Sequence, residues 1–261
     1  MIVKVIIDAS QFVHACYNIW QQGHRNAETL EQAVVNNINT VVHNIQSEIP
    51  VPISVCLALD SRPSFRSTIY PEYKANRSAS LIEWGIIHTK LKEHFMCLEL
   101  ELLEADDVMF CFATEHHRKN DTAVLIVSSD GDANQTTAVT YCIQYCPKKK
   151  EVLRRDDLGL WKSKFILGCP QDNVPSVVPT NSSFDALGNP VTKKVRLGEK
   201  TIEKLMGQGM SIKDIMDKYK IDASHPDSQR NMWLIKYDYR IYKAYISEPI
   251  FNAFITRINS I

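Results

Sequence analysis

"LLEADDVMFCFA", residues 102–113, sets three carboxylates, Glu104, Asp106 and Asp107, between a strand-like run at 98–103 and an apolar segment at 108–113. Like charges this close repel, and beside a core they lose solvation as well. Either the group faces water as an ordinary helix start, or something cationic holds it. The order in which it sits, an apolar run followed by an acid and then a helical pattern, recurs along the chain.

The runs are "IVKVII" (2–7), "PISVCLAL" (52–59), the stretch near 97–103 and "AVLIVSS" (123–129), with helical patterns between them. This alternation predicts an α/β fold with a mainly parallel central sheet. Asp8 follows the first run, Asp60 the second, Glu104 with Asp106 the third, and Asp130 with Asp132 the fourth. In an open parallel sheet all the carboxyl ends lie on one edge, and ligands bind there. Four strands would therefore deliver acids to one place. A single Asp after a strand is ordinarily a helix cap or turn former, but four in succession are poorly explained that way. Six clustered carboxylates need cations to stay ionised away from water, and an oxygen-only set suits Mg²⁺ or Mn²⁺ rather than zinc. Two such ions held by carboxylates are the usual apparatus of phosphodiester hydrolysis. If the third strand ends near Glu104, Asp106 opens the next helix, and Asp107 supports the first turn, favoured by the helix dipole.

Composition is compatible with an enzyme of this kind. The chain has 261 residues, 44% hydrophobic and 23% charged, enough for one large domain or two small ones. It has no apolar run of membrane-spanning length, and "MIVKVIIDAS" lacks the features of a secretory signal, which implies an intracellular protein. Seven cysteines without a C-x-x-C pair argue against a disulfide framework and a structural zinc site. The histidines, His116–His117 included, show no metal-ligand spacing and are expected on surfaces. Formal net charge is +0, but the cations are bunched. Residues 62–77 carry Arg62, Arg66, Lys74 and Arg77 against Glu72 alone; 148–164 carry seven cations against three acids, and 193–204 five against two. A neutral total can hide basic patches of this kind.

"DSRPSFRSTIYPEYKANR" (60–77), "LEADDVMF" (103–110), "IVSSDGDANQ" (126–135) and "GCPQDNVPSV" (168–177) resemble, in order, the motifs of the flap endonuclease/5′-3′ exonuclease family, whose fold is PIN-like. "YCPKKKEV" (145–152) and "NMWLIKYDY" (231–239) resemble the ribonuclease H branch found in T-even bacteriophages. The resemblance implies a metal-dependent nuclease working 5′ to 3′ on RNA primers and short 5′ segments of duplexes, with ribonuclease H, exonuclease and flap endonuclease activities in DNA replication. Asp8, Asp60, Glu104 and Asp106 would gather the first metal; Asp130, Asp132 and Asp172 would gather or support a second. It further implies a nuclease core over 1–164 with a bridge at 66–96, and a helical DNA-binding part over 165–261, the two forming one compact unit. It places the protein in the cytoplasm, that of the host if viral, as a monomer with a single-strand-binding protein or sliding clamp as partner.

Within the bridge, Tyr70, Tyr73, Lys74 and Arg77 fall at helical spacings, so one face would hold an unpaired base and a phosphate, with Arg66 nearby. The competing reading is aromatics packed on the core with solvated cations. Only one modest helix follows Arg77, which argues against a long threaded arch. "FILGCPQDNVP" and the later "VRLGEKTIEKLM" resemble the halves of a helix–three-turn–helix that binds duplex phosphates through backbone amides and a K⁺ ion, aided by Lys194, Arg196, Lys200 and Lys204. The second half also reads as a plain amphipathic helix. Between them, 176–195 is expected to be a mobile loop. Cys169 stands where the family has an Asp, which makes the second metal site weak. Cys169 is then either a neutral core filler or a ligand for a softer ion such as Mn²⁺. Two rivals to the nuclease remain: a catalytically weak structure-specific DNA-binding protein, and a PIN-like RNase acting on RNA only.

Overall fold

The computed structural model describes residues 2–24, 27–77, 81–118, 123–140, 142–153, 159–184 and 190–261. The chain divides into two compact units, one of 1–65, 80–155 and 237–261, the other of 66–79 and 156–236. The segment 237–261 belongs to the first unit, and 66–79, the first part of the expected bridge, to the second. Chain order alone does not reveal this, because each unit is closed by segments far apart in sequence.

The first unit is built on six strands, β1 (Val3–Asp8), β2 (Ile53–Ala58), β3 (Cys97–Leu98), β4 (Ala123–Val127), β5 (Ile143–Cys146) and β6 (Glu151–Leu153), in the order β3-β2-β1-β4-β5-β6. All neighbours pair in parallel except β6, which runs antiparallel to β5. Strand β1 is central, and its Val5, Ile6 and Ile7 are fully buried, as a strand covered on both faces requires. Helices α1 (Ala9–Gln21), α2 (Leu30–Glu48) and α4 (Trp84–His94) share one core with Val5, Ile7, Leu57 and Val127. Between α2 and α4 lies the short α3 (Phe65–Ile69). Helix α5 (Ala105–Arg118) lies against β1, β2 and β4, and α6 (Asn134–Thr140) packs against α5. The mainly parallel α/β sheet expected from the alternation is present.

The third strand is shorter than the run at 97–103 suggests. It stops at Leu98, after which Leu102 turns with a positive φ of 69° and the chain re-engages through Phe65 N–H to the Leu102 carbonyl, 2.9 Å. Helix α5 then begins at Ala105. His116 is buried rather than on the surface, its ring edge-on to Phe112 at 4.4 Å. All seven cysteines are buried and unbridged.

In the second unit, α7 (Lys164–Leu167) is a single turn, followed by a 3-10 turn at Pro170–Asp172. Where a mobile loop is expected the chain forms an antiparallel hairpin, β7 (Thr180–Phe184) with β8 (Pro190–Lys194); 185–189 lie outside the described residues. Helices α8 (Glu199–Gly207), α9 (Ile212–Lys218) and α10 (Pro226–Ile235) complete the unit, with Ile166, Ile202, Leu205 and Ile215 in its core. Gly168 is obligatory at its turn: its φ is +72°, and a Cβ there would meet the Pro175 carbonyl oxygen at 2.7 Å. The chain returns to the first unit as α11 (Tyr239–Tyr245) and α12 (Glu248–Ser260), the latter against α5. Among the described residues no helix is long and apolar enough to cross a membrane.

Candidate active site

The strand order reverses direction about β1, whose neighbours are β2 and β4, and in such sheets the crevice at the carboxyl edge of this switch point is the usual ligand site. Asp8 is the last residue of β1 and also caps α1, accepting the Ser10 N–H at 3.0 Å. Asp60 follows β2 by two residues; it accepts the Ser10 hydroxyl at 2.6 Å and the Ala105 N–H, at the start of α5, at 2.8 Å. Asp130 follows β4 and caps a 3-10 turn by accepting the Asp132 N–H at 2.9 Å. Ser128 ties the two sides of the crevice together, its hydroxyl lying 3.3 Å from Asp8 Oδ2 and accepting the Asp130 N–H at 3.1 Å. The capping reading and the cluster reading of these acids thus hold at once.

Asp8 records how near the others are. Its carboxyl is pushed from 3.8 up to about 7, first by burial and then by the charges of Asp60 and Asp130; the Gln11 backbone N–H and the Ser128 hydroxyl oppose the shift. Glu104 occupies the N-cap position of α5 and Asp106 its first turn, both partly exposed. Asp107 is different in kind. It is fully buried, receives the Glu104 N–H at 3.0 Å in the manner of half a capping box, and takes the Tyr242 hydroxyl at 2.9 Å. It holds the backbone under Glu104, and is therefore neither a solvated helix start nor a metal ligand.

The donor set is all oxygen, which fits a hard divalent cation. Asp8, Asp60 and Asp130 receive hydroxyl and amide donors and form no ion pair among the described residues. Among the described residues no group of three or more His, Cys, Asp or Glu side chains is placed to hold a metal ion, so the expected ligands do not by themselves form a closed set here.

The remaining expected site residues lie in the second unit. Asp172 pairs with Arg77 at 2.5 Å, and the Asp172 carbonyl accepts the Lys74 N–H at 2.9 Å. The proposed helical face of Tyr70, Tyr73, Lys74 and Arg77 does not form: α3 ends at Ile69, 71–76 are turns, and Lys74 has a positive φ of 57°. Tyr73 is buried with Cys169, Val174 and Leu234, so it offers no stacking surface, whereas Tyr70 lies under the Arg230 guanidinium at 4.8 Å. Arg66 is buried too, donating from Nε to the Leu234 carbonyl at 2.7 Å. These positions looked like a basic face because local spacing carries no information on what long-range partner covers a side chain. Arg196, Lys200 and Lys204 are exposed beside and along α8, whose buried face is a plain amphipathic one; the Lys194 side chain lies outside the described residues. The two halves expected for a helix–three-turn–helix are thus a one-turn α7 and α8, separated by the β7–β8 hairpin.

Sequence reading missed Ser10, Gln11, Ser128 and Gln144, which hold the acids in place. Ser10, two residues after Asp8, carried a weak signal in its turn spacing; Gln144 carried none, reading as an ordinary polar position in a strand.

Residues 3–159 match the family of the 5′-3′ exonuclease, N-terminal resolvase-like domain. A 5′-3′ exonuclease of Buchnera aphidicola is 26% identical over 66% of this chain and 64% of its own length. DNA polymerase I of Mycobacterium tuberculosis is 27% identical over 70% of this chain, a match that spans 20% of the polymerase. The fold is similar to that of the T5 D15 protein co-crystallised with metal ions, at a TM-score of 0.68 and 17% identity, covering 98% of both chains. It is similar also to the bacteriophage T5 D15 flap endonuclease in a complex with DNA and metal ions, at a TM-score of 0.61 and 15% identity, again over 98% of each chain.

Proposed function

Since the chain belongs to the 5′-3′ exonuclease family, we propose that it is a divalent-metal-dependent nuclease that hydrolyses phosphodiesters at the 5′ ends of DNA duplexes, flaps and RNA–DNA hybrids. The supporting observation is that Asp8, Asp60 and Asp130 lie along the carboxyl edge of the parallel sheet, where burial first, and then the charges of Asp60 and Asp130, push the Asp8 carboxyl up to about 7. Asp8, Asp60, Glu104 and Asp106 would hold one Mg²⁺, and Asp130 with Asp132 a second. A bound ion of this kind activates water and stabilises the leaving oxygen. The chain's own residues orient the acids: Ser10 and the Ala105 amide aim Asp60, and Ser128 joins Asp8 to the Asp130 loop.

Asp172 is not carried into this ligand set, because its carboxylate is engaged by Arg77. The exposed Arg196, Lys200 and Lys204, with Lys74 and Arg77, are proposed contacts to nucleic-acid phosphates, which carry affinity without reading sequence. Removal of RNA primers in a replicating cytoplasm by a monomer, assisted by a single-strand-binding or clamp partner, completes the reading, as does K⁺ near the 168–175 turn. The DNA and metal complex of the T5 flap endonuclease supports the substrate class.

The test is cleavage of a 5′-labelled flap and a 5′-labelled RNA–DNA hybrid with and without Mg²⁺, for the native chain and Asp130→Asn. Metal-dependent release of short 5′ products, lost in the variant while duplex binding persists, is expected. Cleavage that survives a chelator, or the absence of cleavage on both substrates, rejects it; cleavage of RNA alone would favour the RNase rival.

A further inference from the structure

The loop that carries Asp130 and Asp132 is gripped from two sides by glutamine amides. From β5, Gln144 reaches across the sheet and donates from Nε2 to the Ser128 carbonyl at 2.9 Å and the Asp130 carbonyl at 2.9 Å; its side chain is buried. From α1, three residues after Asp8, Gln11 donates from Nε2 to the Val127 carbonyl at 2.9 Å and accepts the Ser129 N–H on Oε1 at 2.7 Å. Between them the two side chains occupy the carbonyls of 127, 128 and 130 and the amide of 129. Beyond the end of β4 these groups have left most of the regular ladder, and a buried backbone group without a partner is costly. Only a primary amide suits this task. A carboxylate at position 144 would face two carbonyl oxygens, and an aliphatic side chain would leave them unpaired.

The consequence reaches the acids. Once both ends of the Ser128–Asp130 segment are pinned, the Ser128 hydroxyl can link Asp8 to the Asp130 amide, and Asp130 can cap the turn that holds Asp132. We propose that Gln11 and Gln144 are positioning residues that set the distance of Asp130 and Asp132 from Asp8, touching neither metal nor substrate themselves. This rests on the reading of those acids as metal ligands.

The test uses the full chain without nucleic acid, measuring Mn²⁺ binding by calorimetry and by paramagnetic resonance for Gln144→Met, Gln11→Met, Asp130→Asn and the native protein, followed by kcat and KM on the flap substrate. Gln144→Met and Gln11→Met should weaken Mn²⁺ binding by roughly 10- to 100-fold, the range for losing a support behind a ligand. They should lower kcat at fixed Mn²⁺ with KM for DNA unchanged, and excess Mn²⁺ should restore much of the rate. Native Mn²⁺ affinity in both variants, with Asp130→Asn defective, overturns the positioning role alone. Native affinity in Asp130→Asn as well overturns the ligand reading and this proposal with it. If Gln144→Met does not fold, Gln11→Met, on a partly exposed helical position, carries the same readout, and an unchanged affinity there rejects the pair.

Discussion

The Tyr242 hydroxyl donates to Asp107 Oδ1 at 2.9 Å, a bond between two fully buried side chains 135 residues apart. Through it the penultimate helix α11 bears on the start of α5, because Asp107 in turn accepts the Glu104 N–H. Neighbouring bonds repeat the pattern: Tyr237 N–H donates to Gln135 at 2.7 Å, and the Tyr239 hydroxyl to Glu115 at 2.9 Å. The C-terminal segment 237–261 thus braces two stretches that carry the candidate site acids.

Tyr242→Phe removes that donor from a buried carboxylate and should cost about 1.5–3 kcal/mol of stability, the range for a hydrogen bond to a charged group. Thermal unfolding of the two proteins checks it. A change below about 0.5 kcal/mol would show the bond to be replaceable by water.

In chelator, the raised carboxyl of Asp8 makes stability fall as pH rises. Between the ordinary value of 3.8 and about 7 the folded chain holds a proton there that the unfolded chain has released, so across this window rising pH favours the unfolded state alone. Urea midpoints near the two ends of the window should differ in the native protein and less in Asp8→Asn. Equal slopes would mean that neither burial nor the charges of Asp60 and Asp130 raise the Asp8 carboxyl.

Cys169 lies buried against Tyr73, Val174 and Leu234, its sulfur 3.5 Å from Asp172 Oδ2. The filler reading therefore leads, and under it Cys169→Asp is a substitution into the core. It would bury a second carboxylate beside Asp172 and should destabilise by about 3 kcal/mol or more, whereas Cys169→Ser should cost about 1 kcal/mol. Tighter Mn²⁺ binding by the native protein than by Cys169→Ser would reinstate the sulfur as a ligand.

The Arg77–Asp172 pair is half-exposed on the arginine side, so it is worth at most about 1 kcal/mol and can open for a phosphate. Lys74→Ala with Arg77→Ala should weaken duplex binding and lower the slope of log affinity against log salt by about 2, one unit for each phosphate the protein no longer neutralises. An unchanged slope would assign both cations to the fold alone.

Much of this protein was legible in its sequence. The parallel sheet, the acid after each strand, and the separate role of Asp107 follow from hydrophobic period and capping preference, which act over a few residues and leave their mark in the local pattern. The family motifs extend that reading to a chemistry only because their order matches. What the tertiary structure decided is which side chains are covered and by what. Arg66 and Tyr73 look like surface readers of nucleic acid until Leu234 and Cys169 bury them; Gln144 looks incidental until the strand order sets it beside the Asp130 loop. The strand pairing and burial that settle these cases join residues tens to more than a hundred positions apart. Local spacing cannot specify such pairings, because their energy exists only once the chain has closed on itself.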